Sequence, residues 1–326
     1  GVSIATVSRT LAGSPKVAPE TRQRVMQVIE ALNYHPNPSA RGLARKRTET
    51  IALVFPSLSG PYYSAVMSGV EQEAGRHDYN VLICGTHGKE NSARYLRMLA
   101  SKVDGLVVLA RSVEHECLRS LWREGIPLVL LGWPSDEIIC DSVAVDNHGG
   151  AYGAAAHLLG HGHRRIAIIA GPENSPDSAG RLQGYRRALH DAGISIPQRL
   201  VISGNFLYEG GRIAMQQLLE ATPRPTAVLA ANDEMAMGAI DLASERGLQV
   251  PDDLAVIGFD DIPTAALVRP ALTTVRQPMQ LLGETAAKLL FDRLRHPEAP
   301  PRREVLETKL IVRQSCGCSI PSADRS

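Results

Sequence analysis

From residue 50 onward, short and almost wholly apolar runs alternate with amphipathic helical segments, and no other feature of the sequence restricts the fold as much. Runs at 51–55, 81–84, 105–109, 128–131 and 143–145 make a first set, and runs at 166–170, 200–203, 227–230 and 255–259 a second. A strand that buries both faces reads as continuous hydrophobicity rather than as alternation. Helical segments such as 65–77, 180–191 and 234–246 separate the runs, so the pattern predicts parallel sheets covered by helices. Two sets imply two α/β lobes, divided near residues 146–150. In the last third, 273–277 and 309–313 read as strands around a helix at 279–295; they complete either sheet or cross back between the lobes.

Before residue 50 the period is helical. Ser3 reads as an N-cap for a helix through about Leu11, stopped by Gly13 and Pro15. Pro19 suits a first helical turn, and Val25, Val28, Ile29 and Leu32 recur at helical spacing, which predicts one buried face. Asn33 and Pro36 end that helix, and Pro38 opens a third, short one to about Arg45. Residues 1–50 carry eight Lys and Arg against three Asp and Glu, a net +5; the remaining 276 residues net −4. A basic head on a slightly acidic body predicts that the head meets a polyanion.

Composition narrows the classes further. The 326 residues suffice for about two domains, and 44% hydrophobic content fills real cores. No apolar run approaches the ~18 residues of a membrane helix, no secretory signal opens the chain, and five cysteines make no disulfide framework. These features predict a reduced, soluble, cytoplasmic protein. The loops of common α/β enzymes are absent: no G-x-G-x-x-G, no phosphate loop, no G-x-S-x-G elbow. His157, His161 and His163 offer imidazoles, but a helix C-cap turn at the neighbouring glycines accounts for them more economically. Cys316-Gly-Cys318 is spaced too closely for the common C-x-x-C site. Asp260-Asp261 suits ligand hydrogen bonding better than acid–base work, having no nucleophile beside it. No catalytic residue, cofactor or metal is therefore expected.

The first helix has the logic of a DNA reader. Val7 and Leu11 pack inward, leaving Ile4, Ala5, Ser8 and Arg9 outward near the helix start, where a recognition helix meets base edges. Arg9 suits bidentate contact with guanine, Ile4 and Ala5 suit thymine methyls, and Ser3, Thr6 and Ser8 suit phosphate oxygens. The string G-V-S-x-x-T-V-S-R-x-L-x-G is followed by Lys16-Val17, Pro19-Glu20-Thr21-Arg22 and Leu32-Asn33-Tyr34-His35-Pro36-Asn37. Together these resemble the LacI/GalR family of bacterial transcription regulators. The likeness continues through Ala40-Arg41-Gly42-Leu43, Asn232-Asp233, Gly258-Phe259-Asp260-Asp261 and Ile311-Val312-Arg313, and so spans essentially the whole chain.

The resemblance implies a small all-α DNA-binding head on a two-lobe α/β body like that of periplasmic binding proteins. The implied divisions are a partial helix-turn-helix at 1–36, a hinge helix or linker at 37–49, and an effector-binding and dimerisation domain at 50–326. The family's helix-turn-helix begins with a further helix before Gly1, so this stretch alone is expected to bind DNA poorly. In the hinge, Leu43 stands where the family wedges a leucine into the minor groove, and Arg41, Arg45, Lys46 and Arg47 flank it as phosphate partners.

For the body, ligands of open α/β sheets bind beyond the strand carboxyl ends. Tyr62 and Tyr63 follow the first strand, Phe206 follows the strand at 200–203, and Asn232 and Asp260 end later strands; Arg181 stands ready to fork onto hydroxyls or a carboxylate. The resemblance implies that these contact the effector. An aromatic wall with Arg, Asn and Asp suits a polyhydroxylated ligand, a sugar or sugar acid first and a purine-like ring second. The expected protein is an allosteric repressor. A homodimer grips a near-palindromic operator, and DNA and effector affinities are coupled reciprocally. The competing readings are a periplasmic-type sugar-binding protein and, further off, a sugar-modifying α/β enzyme.

Overall fold

The computed structural model describes residues 1–11, 13–33, 47–86, 92–132 and 140–318. It divides into two compact units, Gly1–Thr48 and Glu49–Ser326. Among the described residues, no helix is long and apolar enough to cross a membrane.

Among the described residues the smaller unit holds two helices, α1 (Ile4–Leu11) and α2 (Pro19–Ala31). Ser3 Oγ accepts the Thr6 amide at 3.2 Å, so the expected N-cap is present. Pro19 begins α2, and Arg22 reaches back to donate to the Ser14 carbonyl at 2.6 Å, bracing the turn between the helices. The predicted apolar face of α2 is only partly covered. Val25 is buried and Ile29 half-buried, but Val28 and Leu32 are 56% and 71% exposed. Among the described residues, the eight-residue α1 packs on this thirteen-residue helix.

Among the described residues the larger unit contains two six-stranded sheets. The first runs β11 (Arg303–Leu306), β5 (Asp141–Val145), β4 (Leu128–Leu131), β3 (Gly105–Leu109), β1 (Thr50–Phe55), β2 (Asn80–Gly85), and every pairing is parallel. The second runs β12 (Lys309–Ile311), β10 (Thr273–Arg276), β9 (Ala255–Asp260), β8 (Ala227–Ala230), β6 (Ile166–Ala170), β7 (Val201–Ser203). It is parallel except that β12 runs against β10. In each sheet the first strand in sequence lies between the second and third. Successive crossovers therefore leave it in opposite directions, which opens a crevice at its carboxyl end.

The apolar runs fill both faces of each sheet. In β1, Ile51, Leu53 and Phe55 join one core while Ala52 and Val54 join the core on the opposite face. In β6, Ala167 and Ile169 divide from Ile166, Ile168 and Ala170 in the same way. The covering helices are α3 (Pro61–Arg76), α4 (Ser92–Ala100), α5 (His115–Arg123), α6 (Asn147–Gly160), α7 (Pro176–Asp191), α8 (Tyr208–Leu219), α9 (Asp233–Glu245) and α10 (Met279–Arg295).

The chain passes between the lobes three times: from β5 into α6, from β10 into α10, and from β11 into β12. Helix α10 follows a strand of the second lobe but packs on α3 of the first, where Gly69 and Gly283 let the two backbones touch. Of the two strands expected late in the chain, both join the second sheet. The sequence pattern gave no hint of β11, which completes the first sheet and is docked by a buried ion pair. Asp141 accepts from Arg293 Nε at 2.7 Å and from the Arg302 amide at 2.8 Å, just before β11 begins.

Candidate functional site

The strand carboxyl ends of both lobes converge on a cavity of about 340 Å³. The first lobe contributes the segment after β1, including Gly60, Tyr62 and Tyr63, and Arg111 after β3. The second contributes Asn205 to Leu207 after β7, Asn232 and Glu234 after β8, Asp260 at the end of β9 and Ile262 after it, and Gln277 after β10, with Asp177 and Arg181 from α7. All six residues selected from sequence, Tyr62, Tyr63, Arg181, Phe206, Asn232 and Asp260, line this one cavity.

Arg181 organises its polar side. Its guanidinium donates to Asn147 Oδ1 at 2.8 Å, to the Ala231 carbonyl and to Asp260 Oδ1 at 3.3 Å, and lies 3.8 Å from the Phe259 ring centroid. Asn147 in turn donates to Asp177 Oδ1 at 2.8 Å, so a chain of hydrogen bonds runs from α6 through α7 to the end of β9. Gln277 completes the group by donating to Asp260 Oδ1. Burial pushes the Asp260 carboxyl up to about 6, against the opposing pull of Arg181 and Gln277. Its neighbour points elsewhere: Asp261 pairs with Arg276 and Arg313, both at 2.6 Å, so the two carboxylates are not a working pair.

The apolar side is aromatic. Tyr62 and Tyr63 meet edge to face with centroids 5.4 Å apart, and Tyr63 rests on Phe55 at 5.1 Å. Burial raises both phenols above their ordinary range, so both remain protonated donors at neutral pH. Arg111 donates to the Tyr63 hydroxyl and lies 5.4 Å from the Phe206 ring, linking the lobes across the opening. Phe206 and Asp260 both hold left-handed backbone, with φ of 66° and 124°, conformations that cost a non-glycine residue about 1–3 kcal/mol each.

Asn232 lines the cavity, but its amide is engaged in the scaffold. Its Oδ1 accepts the Met235 amide at 3.0 Å as the N-cap of α9, and its Nδ2 donates to the Phe206 carbonyl at 2.9 Å. It therefore positions Phe206. Arg111, Asp177, Glu234 and Gln277 are lining residues the sequence reading missed. Gln277 directly follows a strand and Arg111 lies two residues beyond one, the same signal that found Asp260; Asp177 and Glu234 look like ordinary acids of a helix's first turn.

On the smaller unit, Ser3, Ala5, Ser8 and Arg9 are exposed and Ile4 is 90% exposed, while Thr6, Val7 and Leu11 are half-buried and Thr10 is buried. The Ser3 and Thr6 hydroxyls lie 3.0 Å apart and engage each other. Among the described residues the Arg9 guanidinium has no hydrogen-bond or ion-pair partner. Arg41 and Leu43 lie outside the described residues, as do the expected third helix and most of the hinge.

Residues 1–37 match the bacterial regulatory proteins, lacI family, and residues 155–316 match the periplasmic binding protein-like domain. Catabolite control protein A of Priestia megaterium is 37% identical over 292 residues, 89% of this chain and 88% of its own length. Among solved structures, the transcriptional regulator CelR–cellobiose complex superposes with a TM-score of 0.77 at 37% identity, covering 97% of this chain and 96% of that one. The Lac repressor dimer bound to operator and the anti-inducer ONPF superposes with a TM-score of 0.85 at 28% identity, again covering 97% and 96%. Head, two-lobe body and interlobe cavity thus agree with likeness along nearly the full length, and the chain belongs to the lacI family of bacterial regulatory proteins.

Proposed function

We propose that the interlobe cavity binds a neutral sugar and that this binding governs the grip of the head on operator DNA. The relatives are transcription regulators rather than enzymes, and membership of their family makes this chain a DNA-binding regulator under the control of a small effector. The observation that carries the choice of ligand is the cluster of Arg181 and Gln277, both donating to Asp260, in a cavity lined by aromatic rings from both lobes. Fixed donors and acceptors beside aromatic faces are what vicinal hydroxyls and the apolar face of a pyranose require. Three carboxylates, Asp177, Glu234 and Asp260, line the cavity against two arginines that already have partners. That balance favours a neutral sugar over a sugar acid. The CelR structure was solved with cellobiose, a neutral sugar.

The mechanism follows from the three chain crossings. A ligand touching Tyr62 and Arg111 in one lobe and Phe206 and Asp260 in the other binds the closed arrangement more tightly than the open one, and so shifts the population toward it. In a homodimer this movement changes the spacing between two heads. Ser3, Ile4, Ala5, Thr6, Ser8 and Arg9 then meet the major groove of each half-site of a near-palindrome, while Arg41 and Leu43 serve the hinge. Linkage requires that operator and sugar alter each other's affinity by the same factor. A thermal-shift screen over neutral sugars and sugar acids tests the ligand class, and operator titration with and without the hit tests the coupling. A sugar acid as the best ligand, or an effector that leaves operator affinity unchanged, overturns the reading. Recovery of the sugar unaltered after prolonged incubation checks that the cleft binds without turnover.

A further inference from the structure

Two groups of side chains that look unremarkable apart in sequence meet at the far end of α6. His157 and His161 lie one turn apart there, with ring centroids 4.7 Å apart. Cys316 and Cys318 reach them from the segment after β12. His157 Nε2 lies 3.0 Å from Cys318 Sγ, His161 Nε2 lies 3.0 Å from the same sulfur, and the two sulfurs are 3.1 Å apart. The donor atoms of His157, Cys316 and Cys318 all fall within 4.8 Å of one another. His161 is exposed, and its Nε2 lies against the Cys318 sulfur on the outer side of this group. His163 is not part of the group: its Nδ1 pairs with Thr226 Oγ1 at 3.0 Å on the other side of the turn.

We infer that His157, His161, Cys316 and Cys318 form a closed four-ligand site for a zinc ion, which fastens the segment after β12 to the end of α6. Two thiolates and two imidazoles are a donor set that selects a tetrahedral, borderline-soft divalent ion. Zn–S of about 2.3 Å and Zn–N of about 2.0–2.1 Å place tetrahedral neighbours about 3.3–3.8 Å apart, so the present separations open by about half an ångström on binding. Both thiols lose their protons to solvent as the ion enters. The sulfurs are free cysteines, well beyond the ~2.05 Å of a disulfide.

The scaffold holds this geometry in advance. Ser315 donates to the Val256 carbonyl at 2.6 Å and accepts the Thr273 amide at 2.8 Å, and Thr273 Oγ1 lies 3.1 Å from Cys316 Sγ. Cys316 is thereby fixed by the amino ends of β9 and β10. Gly317, at φ 80°, turns the backbone and allows both sulfurs to face α6.

The test uses the tag-free full chain, purified under reducing conditions. Elemental analysis after desalting is expected to find one zinc per chain. Replacement by Co2+ is expected to give tetrahedral d–d bands with an intense thiolate-to-cobalt charge-transfer band. Cys318→Ser and His161→Ala, both at accessible positions, are expected to lose the retained metal with the circular dichroism of the body unchanged, and His163→Ala to keep it. Protein that retains no zinc and leaves the Co2+ spectrum as in water overturns the site, as does a Cys316–Cys318 disulfide whose reduction confers no Co2+ binding. A spectrum unchanged in both His157→Ala and His161→Ala overturns the four-ligand assignment.

Discussion

Arg181 and Asp260 meet at 3.3 Å inside the cleft, 79 residues apart in sequence and only 4% and 5% exposed. A buried ion pair of this kind is held by its remaining partners, here Asn147 and the Ala231 carbonyl for the guanidinium and Gln277 for the carboxylate. Arg181→Ala strands Asp260 without its cation. The expected cost is about 3–5 kcal/mol in urea unfolding, together with loss of the sugar-induced thermal shift. Arg181→Lys keeps the charge but lacks the fork that serves three acceptors, and is expected to fall between. Undiminished sugar affinity in a folded Arg181→Ala protein removes the residue from the site.

The legible part of this site was the part written at strand ends. An apolar run that stops abruptly at a polar or aromatic residue marks where a buried strand leaves its sheet, and that signal located Tyr62, Phe206 and Asp260. Asp177 escaped because an acid in a helix's first turn has an ordinary explanation in the helix dipole. Strand β11 escaped because Arg-Glu-Val-Leu at a sheet edge is half polar. Its place is set by Asp141 and Arg293, 152 residues apart, and no local pattern carries that. The meeting of the histidine pair with the cysteine pair escaped for the same reason, since 157 residues separate His161 from Cys318. On α2 the error ran the opposite way: Val28 and Leu32 have the right period, but no described element lies over them.

Sugar binding is expected to weaken as pH falls through about 6. The folded-state Asp260 carboxyl lies near that value, above its ordinary 3.8, so in the free protein it takes up a proton before the unfolded chain does. For the free protein, this group's contribution to stability therefore rises as pH drops from 7 toward 4. A sugar hydroxyl donating to the carboxylate favours the ionised form, which reverses the dependence for binding. One unit below the midpoint, affinity is expected to fall about tenfold. Calorimetric titration at pH 5 and 7.5 measures the change. Asp260→Asn is expected to bind weakly and equally at both, and a wild-type affinity that is flat over this range rules out a role for the ionised carboxylate.

Arg9 is exposed on α1 and its guanidinium is unengaged among the described residues, whereas Ser3 and Thr6 are already occupied with each other in capping the helix. In the full-length protein, Arg9→Ala is expected to cost about 1–3 kcal/mol of operator affinity and to relax preference at one base pair per half-site. Thr6→Ala is expected to act through the helix start and to lower affinity for all sequences alike. Selection from randomised duplexes separates the two. An Arg9→Ala protein with unchanged sequence preference assigns the residue to the phosphate backbone.

The crossing of α3 and α10 fixes the first lobe, and it depends on two residues without side chains. A Cβ on Gly69 meets the Gln280 carbonyl oxygen at 2.0 Å, and one on Gly283 meets the Val66 carbonyl oxygen at 2.1 Å. Backbone atoms cannot rotate out of the way, so an added methyl group separates the helices. Gly69→Ala and Gly283→Ala are each expected to destabilise the body by about 2–3 kcal/mol or more. Gly75, on the same α3, has nothing within 4 Å of its would-be Cβ. Gly75→Ala is expected to stabilise by about 0.5–1 kcal/mol, since alanine loses less backbone freedom in a helix. The same chemical change thus carries opposite signs six residues apart, and urea midpoints of the three variants measure both. Because α10 follows β10, whose neighbour Gln277 lines the cavity, Gly283→Ala is also expected to weaken sugar binding, while Gly75→Ala leaves it unchanged.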